Sequence, residues 1–207
     1  DDLIKLMALR LRSGQAGQGK ICRHLHIPLQ AGCDKILKRM NRPYDTKYFK
    51  SVVNKLRKVL TPLHPPLQGG QSARSDRLPI AITTDVIVGF PGETKNDFKE
   101  THDFIKKIKF SKLHVFPFSA HERTAASKMD GRVETGEIKR RAEALRKLSE
   151  KLEKEYKNKF KGKELEVVVD NRTKDGMLRG KTEYYFDISF ARNNLELIGR
   201  IVRVVCG

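Results

Sequence analysis

The sequence predicts an α/β protein in two parts: parallel strand and helix units, as in an α/β barrel or part of one, then a small antiparallel β-barrel. Three observations predict it. Apolar strand-like runs and amphipathic helical stretches follow in the order strand, helices, strand, helix, strand, helix, which implies parallel strands with right-handed crossovers. The stretch Thr84-Asp-Val-Ile-Val-Gly-Phe-Pro-Gly-Glu-Thr94 reads as a buried strand stopped abruptly by Gly89, Pro91 and Gly92 and followed at once by a helix. In such units a ligand sits outside the carboxyl end of the strand. At Gly162 the composition shifts to short β runs separated by Asp-Asn, Asp-Gly and Asn-Asn turns.

Taken in order, residues 1 to 22 hold a helix remnant, Leu3 to Met7, and then a loop without apolar period. His24 to Gln30 is a weakly alternating strand with an irregular end at Pro28, and Ala31-Gly32 turns the chain into a helix that Asp34 can cap. A second helix from about Thr46 sets Phe49, Val52, Val53, Leu56 and Leu60 on one face. Residues 61 to 79, rich in Pro, Gly and Ser, interrupt a connection that usually takes about 2–6 residues, so they read as an inserted surface loop. Ile80 to Val88 is the organising strand, β-branched enough for a parallel sheet to cover on both faces. Thr94 and Asp97 form the box that starts the next helix, whose apolar face is Phe98, Thr101, Ile105 and Ile108. Lys112 to Phe118 is the third strand, and Glu137 to about Phe160 a long helix with Lys and Arg around its exposed side. The closing runs Leu165 to Val169, Met177 to Arg179, Tyr184 to Phe190 and Ile198 to Val205 make the small barrel.

Composition narrows the function classes. The chain of 207 residues is 38% hydrophobic, enough to bury one larger core and one small one. No apolar run nears the roughly 18 residues of a membrane helix. With neither a signal-peptide flank nor Met at Asp1-Asp2, the chain is expected to be soluble and cytoplasmic, and to begin in mid-protein. Its net charge of +18 favours a polyanionic partner, and more than half of the excess lies in the first 60 residues, with 14 basic against 4 acidic. Cys22, Cys33 and Cys206 lack metal-ligand spacing and read as structural thiols. Asp85, a carboxylate inside an apolar strand, must either bond a ligand hydroxyl or tie down a neighbouring loop. In the small barrel, Arg172, Lys174, Arg179, Lys181 and Arg192 lie in or beside turns with Tyr184 and Tyr185 near them, a surface suited to phosphate contact and base stacking, or else a polar face over core aromatics.

Four ordered motifs carry a family resemblance: His26-Ile-Pro-Leu-Gln-Ala-Gly-Cys33, Leu37-Lys-Arg-Met-Asn-Arg-Pro-Tyr44, Thr84 to Thr94, and His114-Val-Phe-Pro-Phe-Ser119. They resemble the second half of the radical S-adenosylmethionine methylthiotransferases, and the closing barrel is similar to the TRAM domain with which that family binds tRNA. The resemblance implies the C-terminal half of a radical SAM (β/α) barrel over residues 1–160, with inserted loops at 8–19 and 61–79, and a TRAM domain over 161–207. Met40-Asn-Arg-Pro-Tyr44 and Lys112 to Phe118 are most like the tRNA threonylcarbamoyladenosine members, which add a methylthio group to the modified adenosine beside the anticodon. By the same resemblance, Gln30 and Asp85 would hold the ribose hydroxyls of S-adenosylmethionine and Arg42 its carboxylate, with Gly89, Phe90, Pro91 and Ser119 around the adenine.

Two departures qualify it. The family's Cys-x3-Cys-x2-Cys loop, which holds a 4Fe-4S cluster, is absent from this sequence, and the three cysteines do not replace it. The family's Ser-x-Arg-x-Gly-Thr reads Ser119-Ala-His-Glu-Arg-Thr124, with His121 and Arg123 in the Arg and Gly places. The expectation is therefore the C-terminal portion of a tRNA methylthiotransferase, inactive alone. The complete enzyme would use S-adenosylmethionine, 4Fe-4S clusters and an electron donor. The alternatives are a stand-alone RNA-binding protein, or a methylthiotransferase acting on a ribosomal protein or on isopentenyladenosine in tRNA.

Overall fold

The computed structural model describes residues 22–60, 78–120, 124–191 and 195–207. The chain forms two compact units, one of His26–Lys55 with Ile82–Glu155, the other of Leu56–Ala81 and Tyr156–Gly207 with the chain up to Leu25.

In a three-stranded sheet β1 (His24–His26), β2 (Ala81–Val88) and β3 (Lys112–Pro117) lie in that spatial order. β2 and β3 are parallel, in register from Thr83 opposite Lys112 to Val88 opposite Pro117. The strand expected over His24 to Gln30 is shorter: three residues, then a single parallel bridge from Gln30 to Val86. Pro28 has no N–H to donate and Gln30 takes a left-handed φ of 68°, so the ladder cannot run on. Along β2, Ile82, Thr84, Val86 and Val88 are buried while Asp85 and Ile87 are half-buried. Among the described residues the carboxyl half of this strand is thus fully covered on one face only, not on both as its β-branched run predicts.

The helices are α1 (Asp34–Arg39), α2 (Thr46–Leu60), α3 (Lys95–Ile108) and α4 (Thr135–Lys157). α3 starts as its sequence predicts: the Thr94 hydroxyl accepts from the Asp97 amide and the Asp97 carboxylate accepts from the Thr94 amide. Asp34 does not cap α1. Cys33 holds that position without a side-chain bond, and Asp34 instead accepts from the Thr46 amide at 2.7 Å, while Asp45 accepts from the Tyr48 amide at 2.6 Å. Both carboxylates thereby serve the start of α2, because the turn between the helices brings its free amides to them. Ala31, Cys33, Ile36, Leu37 and Phe90 form a buried cluster here, flanked by Met40, Tyr44 and Phe118.

In the second unit β4 (Glu164–Arg172), β5 (Leu178–Thr182), β6 (Asp187–Phe190) and β7 (Ile201–Val205) pair antiparallel in the order β6, β5, β4, β7. Tyr156, Phe160, Leu165, Tyr184, Phe186 and Cys206 pack with Leu78 and Ala81 beneath it. Gly180 is required within β5, since a Cβ there would run into the Val168 carbonyl oxygen. The strand expected from Tyr184 begins only at Asp187: Tyr185 has a φ of 63° and its amide donates to the Thr182 carbonyl at 3.0 Å, which makes a turn. Among the described residues no pairing joins β6 to β7, so this is an open four-stranded sheet and not the closed barrel expected.

Of the segments singled out as insertions, 8–19 lies outside the described residues, as does 61–79 up to position 77. Leu78 is buried, and the Pro79 carbonyl accepts from the Tyr156 hydroxyl at 3.0 Å, so the last two residues of that segment are packed. No described helix is long and apolar enough to cross a membrane.

Candidate functional site

A cavity of about 420 Å³ opens at the carboxyl ends of β2 and β3, lined by Gln30, Asp85, Ile87, Phe116, Pro117, Phe118, Ser119, Thr124 and Ala126. The parallel register explains its chemistry. Asp85 lies opposite His114 and Ile87 opposite Phe116, so the two-residue period of the strands puts all four on one face. Gln30 enters from the neighbouring segment. Its amide donates to the Asp85 carbonyl and its carbonyl accepts from the Ile87 amide, both at 2.9 Å, which pins a non-glycine residue in the left-handed region beside the cavity. Such backbone costs about 1–3 kcal/mol and is often found at ligand sites.

Asp85 is tied as well as exposed to the cavity. His26 Nε2 lies 3.2 Å from its Oδ2, and His26 Nδ1 lies 3.0 Å from the Thr83 hydroxyl. Of the two roles open to this carboxylate in the sequence, both are therefore geometrically available. Sequence reasoning did not single out His26, although it opens the first motif.

The remaining residues expected at the site stand differently. Gly89 is buried, with its amide donating to the Glu93 carboxylate at 2.6 Å, and at its φ of 79° any Cβ would strike Ile138. Phe90 is buried edge-on to Phe118, 5.3 Å between ring centroids, and so supports the cavity wall from behind. The Pro91 carbonyl accepts from Arg39 Nε at 2.9 Å. Arg42 is exposed after α1 and does not line the cavity. His121 and Arg123 lie outside the described residues.

The turn after β2 is held by a buried ion pair that the sequence did not disclose. Arg141 Nη1 donates to Glu93 Oε2 at 2.7 Å and to the Glu93 carbonyl at 3.0 Å, while its Nε reaches Glu137 at 3.0 Å. Burial pushes the Glu93 carboxyl up, against the pull of the Gly89 amide and Arg141. At the start of α3, burial raises the Asp97 carboxyl, but Lys35 and Thr94 outweigh it and hold it down at about 2.

In the second unit, Arg172 and Lys174 are exposed at the turn after β4, and Arg172 Nε donates to the Gly176 carbonyl at 3.1 Å. Arg179 and Lys181 both pair with Asp187, at 2.8 and 2.6 Å. Tyr184 is fully buried beneath the Arg23 guanidinium, and Tyr185 is the exposed tyrosine, stacked on His24 at 3.6 Å with Lys181 4.9 Å from its ring. Arg192 lies outside the described residues.

The lining suits a nucleoside in residue type: Gln30 and Asp85 bring groups that can bond hydroxyls, and Ile87, Phe116 and Phe118 bring apolar surface for a base. A cluster does not fit the cysteines present. Cys22 is exposed, and burial pushes the thiols of Cys33, to about 11, and Cys206 up, whereas an iron ligand is a thiolate. Among the described residues no group of three His, Cys, Asp or Glu side chains is placed to hold a metal.

Residues 14–105 match the family model of the radical SAM superfamily. The chain is 39% identical over 189 residues to the threonylcarbamoyladenosine tRNA methylthiotransferase MtaB of Bacillus subtilis, covering 89% of this chain and 38% of that protein. Against the protein of the same name from Thermotoga maritima the identity is 37% over 176 residues, 85% of this chain and 37% of the relative. The tRNA-2-methylthio-N(6)-dimethylallyladenosine synthase of Acetivibrio thermocellus is 35% identical over 187 residues, 89% and 35%. This chain thus spans less than two-fifths of the length of these relatives. Matching domain, motif order and relatives agree: over most of its length the chain is similar to the radical S-adenosylmethionine methylthiotransferases.

Proposed function

We propose that these 207 residues form the S-adenosylmethionine-binding and RNA-contacting portion of a methylthiotransferase that modifies N6-threonylcarbamoyladenosine beside the anticodon of tRNA. The observation that carries this reading is the cavity in which Gln30 and Asp85 together line one nucleoside-sized space at the strand ends. Gln30 and Asp85 take the ribose hydroxyls, Arg42 the carboxylate, and Gly89, Phe90, Pro91 and Ser119 border the adenine directly or through the wall behind it. S-adenosylmethionine supplies the methyl group and the radical. The cluster cysteines and the route from the electron donor come from outside these residues, so the 207 residues alone do not methylthiolate. Residues 161–207 act as a TRAM domain, with Arg172, Lys174, Arg179, Lys181 and Arg192 as its RNA-facing set and Tyr185, in place of the buried Tyr184, as the stacking ring. The protein works in the cytoplasm, where its tRNA is.

The name of the Acetivibrio thermocellus relative favours a second acceptor, dimethylallyladenosine in tRNA. A stand-alone RNA-binding role would leave the Gln30 and Asp85 cavity without purpose. Calorimetric titration of the chain with S-adenosylhomocysteine tests the main reading. Asp85→Ala and Gln30→Ala should each weaken binding by about 1–3 kcal/mol, the usual cost of an unpaired polar group. A folded chain that does not take up the ligand at millimolar concentration refutes it.

A further inference from the structure

We infer that His26 is a positioning residue that fixes the carboxylate of Asp85 so that one oxygen, Oδ1, is presented to the ligand. This rests on reading the cavity as an adenosine site. A carboxylate on the face of a sheet turns about its side-chain bonds unless one oxygen is anchored. Asp85 is anchored from the neighbouring strand: His26 Nε2 lies 3.2 Å from Oδ2. A carboxylate only accepts, so Nε2 carries the proton and donates, whether the imidazole is neutral or charged.

The ring that makes this contact is itself held on two sides. Its Nδ1 lies 3.0 Å from the hydroxyl of Thr83, which is buried two residues before Asp85 on the same strand. His114, opposite Asp85 in the β2 and β3 register, meets the His26 ring edge-on at 5.6 Å and 63°. Oδ2 is thereby engaged by a ring that has a partner at each nitrogen, and Oδ1 remains for a ligand hydroxyl. Holding a ligand-binding side chain through a second polar group is a common way to keep a site in its productive geometry.

The test is a double-mutant cycle on the full chain, with S-adenosylhomocysteine as the probe and thermal melts to confirm folding. The amide nitrogen of Gln overlays Nε2 of His, whereas that of Asn overlays Nδ1 and falls short of Asp85. His26→Asn should raise Kd about tenfold and His26→Gln should leave it within about threefold of wild type. In an Asp85→Ala background, His26→Asn should change Kd by less than about twofold, since the residue acts through that carboxylate. Equal losses for Asn and Gln, or a tenfold loss that persists without Asp85, overturn the positioning role. If Asp85→Ala weakens binding while His26→Asn does not, the inference fails and the adenosine site stands. If the folded wild type takes up no probe at millimolar concentration, the site assignment fails and the inference with it.

Discussion

Arg141 and Glu93 are more buried than any other ion pair described, with side-chain exposures of 4% and 0%. Breaking such a pair from one side leaves a desolvated charge, which typically costs about 3–5 kcal/mol. Arg141→Ala should therefore lower the melting temperature strongly, and Arg141→Met with Glu93→Gln should recover part of the loss; melts of the wild type and the two variants decide it. Asp97 gives a pH signature. Its folded carboxyl titrates at about 2, below the ordinary value of 3.8, so the stability it contributes is present above pH about 4 and is lost as pH falls through about 2. Asp97→Asn should flatten the stability curve between those limits and leave the rest of it unchanged in shape. An unaltered acid limb in urea melts would mean that the Lys35 contact at 2.7 Å is too open to matter.

At the scale of elements, the connection from α2 to β2 is where sequence and structure together sharpen a prediction. Its composition marks an insertion, but Leu78 is buried and Pro79 accepts from Tyr156, so the removable part ends at position 77. Replacing 61–77 with about six Gly and Ser residues should leave the melting temperature equal or higher, because loop closure costs little per residue and no apolar period is removed. Extending the deletion through Leu78 and Pro79 should lower it. Equal melts for the two deletions would show that the packing of Leu78 contributes nothing. The β5 to β6 turn shows the same division of roles. Adjacent tyrosines in the sequence end on opposite sides, Tyr184 in the core and Tyr185 outside, because Tyr185 is itself left-handed and turns the chain there.

For the whole molecule, the charge of +18 predicts tRNA binding that weakens steeply with salt. Truncation before residue 162 is a poor test of where the RNA sits, since Tyr156 and Phe160 share a core with Leu165, Tyr184 and Phe186. Charge reversal is cleaner. Arg172→Glu with Lys174→Glu should weaken tRNA binding and reduce the slope of log K against log salt by about two, roughly one for each phosphate no longer neutralised. An unchanged slope would move the RNA surface to other basic segments.

Periodicity and local chemistry were enough to read the strand Ile80 to Val88, the capping box of Thr94 and Asp97, the apolar faces of the helices and the antiparallel character after Gly162, because each depends on neighbours a few residues away. The family resemblance of the motifs likewise singled out Gln30, Asp85 and Ser119, which line one cavity. Other assignments depended on partners far along the chain. Arg141 looks like any other cation on a basic helix until the fold sets it against Glu93, 48 residues away. His26 looks like a strand residue until β2 brings Asp85 beside it, and Asp34 looks like a cap until Thr46 arrives with a free amide. Side-chain direction is a local property that the sequence carries. The partner waiting at the end of that direction, and whether water is excluded there, is fixed only by packing.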